Sequence, residues 1–194
     1  MNKKIIYSLV ILALIFFITS LLIFLKSGAE QKDKESQSLQ EGTGVQTKEV
    51  KRVKVKAFFF TEVSRYMRPV EYEIDLPEVK EQAYRKFLDL LLKGAENYIT
   101  PVPEGVALRS LYFIESKGML VVDFSDELER NFPAGTDSEL EFIYFIVDNF
   151  CYNFAEIKKV KFMIAGNEYR SISGHIDIEN PFYPDYRYLY LKDQ

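Results

Sequence analysis

An unbroken apolar run from Ile5 to Leu25, preceded by Lys3 and Lys4 and closed by Lys26, constrains this chain more than any other stretch of its 194 residues. At ~1.5 Å per residue a helix over these positions is about 31 Å long, which matches a hydrocarbon core of roughly 30 Å. Its polar side chains, Tyr7, Ser8, Thr19 and Ser20, can bond back to the helix backbone. The run therefore reads as a single transmembrane helix. A cleaved secretory signal shares the charged head and apolar middle, and Ser27-Gly28-Ala29 offers small residues to a peptidase, but the run is longer than a usual signal core. No Cys follows it, which excludes lipid attachment there. Lysines flank both ends, so the positive-inside count does not decide orientation. A short inner head with a long exported tail is the usual arrangement, and residues 1–25 are expected to be a cytoplasmic stub and single-pass anchor in the cell membrane.

Residues 26–50 are Gln, Ser, Glu, Lys, Gly and Thr with almost no apolar side chains, a composition that cannot bury enough surface to order itself. As a coil of about 24 residues this linker spans roughly 25–30 Å. Residues 51–194 are then the extracytoplasmic domain, large enough for one sizeable core. Aromatic residues make up 15% of the chain, 16 Phe and 13 Tyr with no Trp, so this part should fold compactly. Net charge is -4; the segment up to Glu49 carries about +1, leaving about -5 for the domain. That balance argues against nucleic acid and anionic lipid as partners. The single cysteine, Cys151, forbids an intrachain disulfide and sits in an apolar helical pattern, where it reads as a buried small hydrophobe.

Periodicity gives the order ββαββαβ. Val53, Val55, Ala57 and Phe59 alternate with Lys54, Lys56, Phe58 and Phe60 as a strand, and Val70, Tyr72, Ile74 and Leu76 mark a second. Pro77 stops it; Val79, Ala83, Phe87, Leu90 and Leu91 recur at helical spacing up to Gly94. Ala107–Glu115 and Met119–Phe124 flank Ser116-Lys117-Gly118 as a hairpin. Asp137 or Ser138 can cap a second helix whose apolar stripe runs from Leu140 to Phe154, and Val160, Phe162 and Ile164 make another strand. A shorter extended segment, Ile172–Ile178, leads into an aromatic tail. The pattern predicts an α+β, two-layer domain with one mixed β-sheet and two helices covering one face, preceded by the transmembrane helix.

Catalytic chemistry is scarce. His175 is the only histidine, and it has no His or Cys partner at ligand spacing. Glycines are scattered singly, with no phosphate-cradling loop. Asp123, Asp126, Glu127 and Glu129 are the densest acidic group, but they lack the Gly and closing Glu of a calcium loop and read as a solvated strand-to-helix connection. Ser173-Gly174-His175 reads as a turn beside a structural histidine. The sequence thus implies no enzyme, cofactor or metal. The tail from Pro181 to Tyr190 is the least ordinary piece outside the anchor: Tyr183, Tyr186, Arg187, Tyr188 and Tyr190 form a candidate interaction surface, because Tyr and Arg are enriched where proteins and glycans are gripped. The competing reading is a closing strand packed along the sheet.

From Val53 to about Phe182 the chain resembles the GerMN domain of sporulation and spore germination proteins. The resemblance rests on Val55-Lys56-Ala57-Phe58-Phe59-Phe60, the helix end Leu90-Leu91-Leu92-Lys93-Gly94, Pro103-Glu104-Gly105, Gly118–Phe124 with Val122-Asp123-Phe124-Ser125, Ile164-Ala165-Gly166, and Gly174-His175-Ile176-Asp177 followed by Pro181-Phe182. Gly94-Ala95 stands where the family usually has Gly-Pro, and Phe150-Cys151-Tyr152 replaces a more polar helix end. The resemblance implies a non-enzymatic extracytoplasmic domain of membrane-anchored bacterial envelope proteins, with no catalytic residues to carry over. The expected function is an assembly or interaction module, with sporulation or germination as the candidate process and a homo-oligomer or other envelope proteins as partners. The alternative is a peptidoglycan or wall-glycan binding domain that uses the tyrosine-rich tail as a stacking platform.

Overall fold

The computed structural model describes residues 51–191. The expected transmembrane helix and the linker lie outside them; among the described residues no helix is long and apolar enough to cross a membrane.

Alternation builds the first element. β1 (Lys51–Thr61) pairs antiparallel with β2 (Ser64–Leu76) through Val55↔Tyr72 and Ala57↔Val70. One face of this hairpin carries a ladder of exposed ion pairs, Arg52–Asp75, Lys54–Glu73 and Lys56–Glu71, each worth little beside water. Toward the turn β1 becomes apolar on both faces, and Phe58, Phe59 and Phe60 are all buried. After Pro77, α1 (Lys80–Lys93) buries Ala83, Tyr84, Phe87, Leu88 and Leu91 along one stripe. Gly94, at φ 75°, ends it with its N–H on the Leu91 carbonyl.

The expected second hairpin forms from β3 (Leu108–Ile114) and β4 (Met119–Phe124). A 3-10 turn over Glu115–Lys117 joins them, and Gly118 follows at φ 55°. A Cβ there would lie 3.1 Å from the Glu156 carbonyl, so both the backbone angle and the close approach demand glycine. β5 (Lys159–Ile164) then lies parallel to β4 through Leu120↔Val160 and Val122↔Phe162. Parallel neighbours require a crossover, supplied by the single turn of α2 (Glu127–Arg130) and by α3 (Thr136–Asn153). α3 is buried on most of its circumference from Glu139 to Cys151, so it is a core helix rather than a surface cover. Edge-to-face rings join the layers: Tyr84 and Phe87 of α1 meet Phe150 and Phe154, while Phe142 meets Phe124 and Phe132.

The strands form two sheets rather than one, β1-β2 and β3-β4-β5, and the described residues hold three α-helices rather than two. The partition has a side-chain cause. The outward edge of β1 is taken by amides of α3 instead of by a strand: Asn149 Oδ1 accepts the Phe58 N–H at 2.8 Å and its Nδ2 donates to the Phe58 carbonyl at 2.9 Å. One helical turn on, Asn153 does the same for Lys56 at 2.9 and 2.8 Å. Two further expectations change. α3 begins at Thr136 behind Gly135, at φ 143°, with no side-chain cap from Asp137 or Ser138. Ile172–Ile178 forms bends rather than an extended segment.

Candidate functional site

The tail is partly packing and partly surface. Phe182 bridges Val160, exchanging N–H···O bonds of 2.8 and 2.9 Å along the outer edge of β5. The Asp185 N–H then donates to Asp148 Oδ1 at 2.8 Å. Over the 3-10 turn Tyr186–Tyr188 the Tyr188 ring stacks on Tyr144 at 4.7 Å, and Leu189 is buried beside Met67. The Tyr190 N–H closes the path on the Met67 carbonyl at 2.8 Å.

The five tail residues singled out in the sequence therefore have different surroundings. Tyr188 is half-buried in its stack, and the Arg187 guanidinium is engaged by Asp185 two residues before it, at 2.7 and 2.5 Å. Tyr183 is the most exposed of the four tyrosines, at 62%, and lies under Lys159. Tyr186 meets the Tyr152 ring edge-on, and Arg68 lies 4.8 Å above the Tyr190 ring. Tyr152 and Tyr190 in turn line one open groove of about 500 Å³, together with Phe58, Tyr98, Lys56 and Arg68. β1 and β2 supply Phe58, Lys56 and Arg68, the loop after α1 supplies Tyr98, and α3 supplies Tyr152. The Phe58 ring is held edge-on against Tyr152 at 4.7 Å.

The other chemistry-bearing residues are occupied in holding the fold. Glu139, sealed inside α3, accepts the Ser173 N–H and hydroxyl and the His175 N–H on Oε1, and the Ile176 N–H on Oε2. Burial pushes its carboxyl up, but these donors outweigh burial and hold it below the usual range. His175 Nδ1 lies 3.2 Å from Oε1 and 3.4 Å from Ser173 Oγ. Ser173 and His175 thus share one carboxylate, and the hydroxyl is not aligned on a base as a nucleophile would be. The acidic group disperses: Asp123 is buried and accepts the Gly166 N–H at 2.9 Å, while Asp126 and Glu127 grip Arg130. Among the described residues no three His, Cys, Asp or Glu side chains converge as metal ligands would. Cys151 is a buried free thiol, pushed up to about 12 by burial.

Asp148 is the exception to this economy. It is fully buried, its Oδ2 has no hydrogen-bond partner, and burial pushes its carboxyl up to about 7. Sequence reading missed Glu139, Asp148, Asn149 and Asn153, although all four interrupt the apolar stripe of α3 and so signal buried polar work. The groove residues Tyr98, Tyr152 and Arg68 come from three separated segments and carry no local signal.

The family model described as sporulation and spore germination matches residues 52–170, more than half of the chain. Among solved structures, the tandem GerMN domains of the sporulation protein GerM from Bacillus subtilis superpose with a TM-score of 0.51 at 15% identity, over 69% of this chain and 46% of that one. The first GerMN domain of the same protein gives a TM-score of 0.50 at 16% identity, over 68% of this chain and 97% of that one. These two likenesses concern the fold. The chain spans less than half of the tandem structure. No curated protein matches it. By the family model, the chain belongs to the Germane family of sporulation and spore germination proteins.

Proposed function

We propose that this chain is a non-catalytic interaction module of sporulation or germination, held on the outer side of the cell membrane by its amino-terminal apolar run, and that an extended partner strand adds to β2. The observation that carries the reading is the outer edge of β2. The Met67 carbonyl faces outward to Tyr190, so by strand alternation Pro69, Glu71, Glu73 and Asp75 turn their backbone groups outward too. Pro69 has no N–H, and Lys86 Nζ covers the Asp75 carbonyl. Glu71 and Glu73 have no outward partner among the described residues. An unpaired edge is a template for strand addition. Antiparallel pairing of two copies about Glu73 would set acid against acid, so the edge favours an envelope protein whose strand carries Lys or Arg over a second copy.

A photo-reactive residue at position 71, introduced into cells of the source bacterium during sporulation, should yield an adduct that disappears in Glu73→Pro. That substitution removes an outward N–H and leaves the bonds to β1 in place. Absence of an adduct, or an adduct indifferent to Glu73→Pro, overturns the reading. Anchoring is tested apart: the chain should stay in the membrane pellet after alkaline carbonate extraction.

A further inference from the structure

From the groove between the β1–β2 hairpin and the end of α3, we infer that this domain binds a carboxylate-bearing saccharide. The inference goes beyond strand addition at β2, because it needs neither the Glu71–Glu73 edge nor a protein partner. Tyr98, Tyr152 and Tyr190, backed by the buried Phe58, bring three aromatic rings to one opening of about 500 Å³, a size suited to a small ligand. Rings of this kind offer apolar faces to the C–H faces of sugars, and the tyrosine hydroxyls supply the polar contacts that an apolar pocket lacks.

Charge selects the class of sugar. The domain carries about -5 overall, yet this groove holds two cations. Lys56 is loosely engaged, 3.9 Å from Glu71. Arg68 lies over the Tyr190 ring at 4.8 Å, and its guanidinium makes no ion pair among the described residues. A guanidinium that lies over a ring and is left unpaired keeps its N–H fork free for a planar anion, and the matching fork is a carboxylate. The negative surroundings repel extended polyanions, so one carboxylate per sugar or per disaccharide fits better than a nucleic acid or a polyphosphate. Tyr190 reaches the groove only because Asp148, Tyr144 and Met67 hold the tail down, so the tail serves this site through its last tyrosine rather than as a continuous platform.

Calorimetry on the full chain in detergent micelles tests this directly. The probes are a tetrasaccharide alternating N-acetylglucosamine and glucuronic acid, its carboxyl-reduced neutral form, and inorganic phosphate. The acidic tetrasaccharide should bind saturably, and the reduced form about tenfold more weakly, as expected for loss of a charge-assisted hydrogen bond. Arg68→Gln should weaken the acidic ligand by about the same factor. Arg68→Lys, which keeps charge and loses the fork, should fall between, while Tyr152→Ala should weaken both sugars. Tyr66→Ala, an exposed tyrosine outside the groove, should change nothing. Equal affinity for the two tetrasaccharides, indifference to Arg68→Gln, or no saturable binding overturns the inference. Displacement by millimolar phosphate would reduce the groove to a simple anion site and overturns it as well. None of these outcomes bears on the position-71 adduct, so the two readings fail separately.

Discussion

Glu139 and Asp148 stand nine residues apart on the same helix, both closed off from solvent, and their carboxyls move in opposite directions. Glu139 sits in the first turn of α3, where the positive end of the helix dipole favours it, and the Ser173–Ile176 turns aim three N–H groups and a hydroxyl at it. Asp148 lies in the C-terminal third of the helix and receives one N–H, from Asp185. Closure from solvent alone therefore does not set ionisation; Asp148 lies deeper in the protein, and the number of donors turned toward the oxygens differs as well. Glu139 organises a loop by staying charged, whereas Asp148 is comfortable only when protonated.

Removing the satisfied carboxylate should do the most damage. Glu139→Ala strands several buried donors at once, and the expected loss is about 4 kcal/mol of unfolding free energy, read by urea denaturation at pH 7. A loss below about 1 kcal/mol would mean that water replaces the carboxylate and that the contrast is false.

The second prediction concerns pH. Asp148 has a folded pKa of about 7, raised from its ordinary 3.8, so it binds a proton on folding. Its contribution is fully present below about pH 4 and is lost as pH rises toward 7, the reverse of Glu139, whose stabilisation is present above the carboxylate range and lost as pH falls. Between pH 5 and 8 the wild type should therefore lose on the order of 2 kcal/mol relative to Asp148→Asn, whose stability should be flatter over that window. Parallel curves for the two proteins would show that Asp148 stays ionised in the fold. Carbon-13 chemical shifts of the two carboxyls would give the same answer site by site.

The smallest effect sharpens the donor argument. Ser173→Ala removes one hydroxyl from Glu139 and leaves the three N–H groups, so about 1 kcal/mol should be lost and the Glu139 titration should move upward without reaching that of Asp148. A shift as large as the whole difference between the two carboxyls would make the hydroxyl, rather than the set of donors, the cause.

The same distinction explains what could be read from the sequence. Apolar spacing placed α1, α3 and five strands in the right order, because each buries a face and periodicity reports buried faces. The partition into two sheets was hidden, since it depends on Asn149 and Asn153 bonding the backbone of a strand far away in sequence. The Ile172–Ile178 pattern looks extended, but the N–H groups of Ser173, His175 and Ile176 are claimed by Glu139. α2, at four residues, is too short to show a period. At the candidate site, Tyr190 was legible as part of an unusual tail, whereas the pairing of Arg187 with Asp185 and the stacking of Tyr188 on Tyr144 depend on the fold. Arg68 and Tyr152 gain meaning only when the fold brings them to the same opening.

The amide pair on α3 also bears on how the chain is made. Phe58 reaches the ribosomal exit well before its partner Asn149, which follows 91 residues later. At about 5–20 residues per second of synthesis that interval is on the order of 5–20 s. Throughout it Val53–Phe60, a β-prone apolar segment, has its own hairpin but not the helix that closes its edge. The chain is thus most vulnerable to mispairing before its last quarter exists, and a chaperone that shields this segment would matter more to its yield than to its final stability.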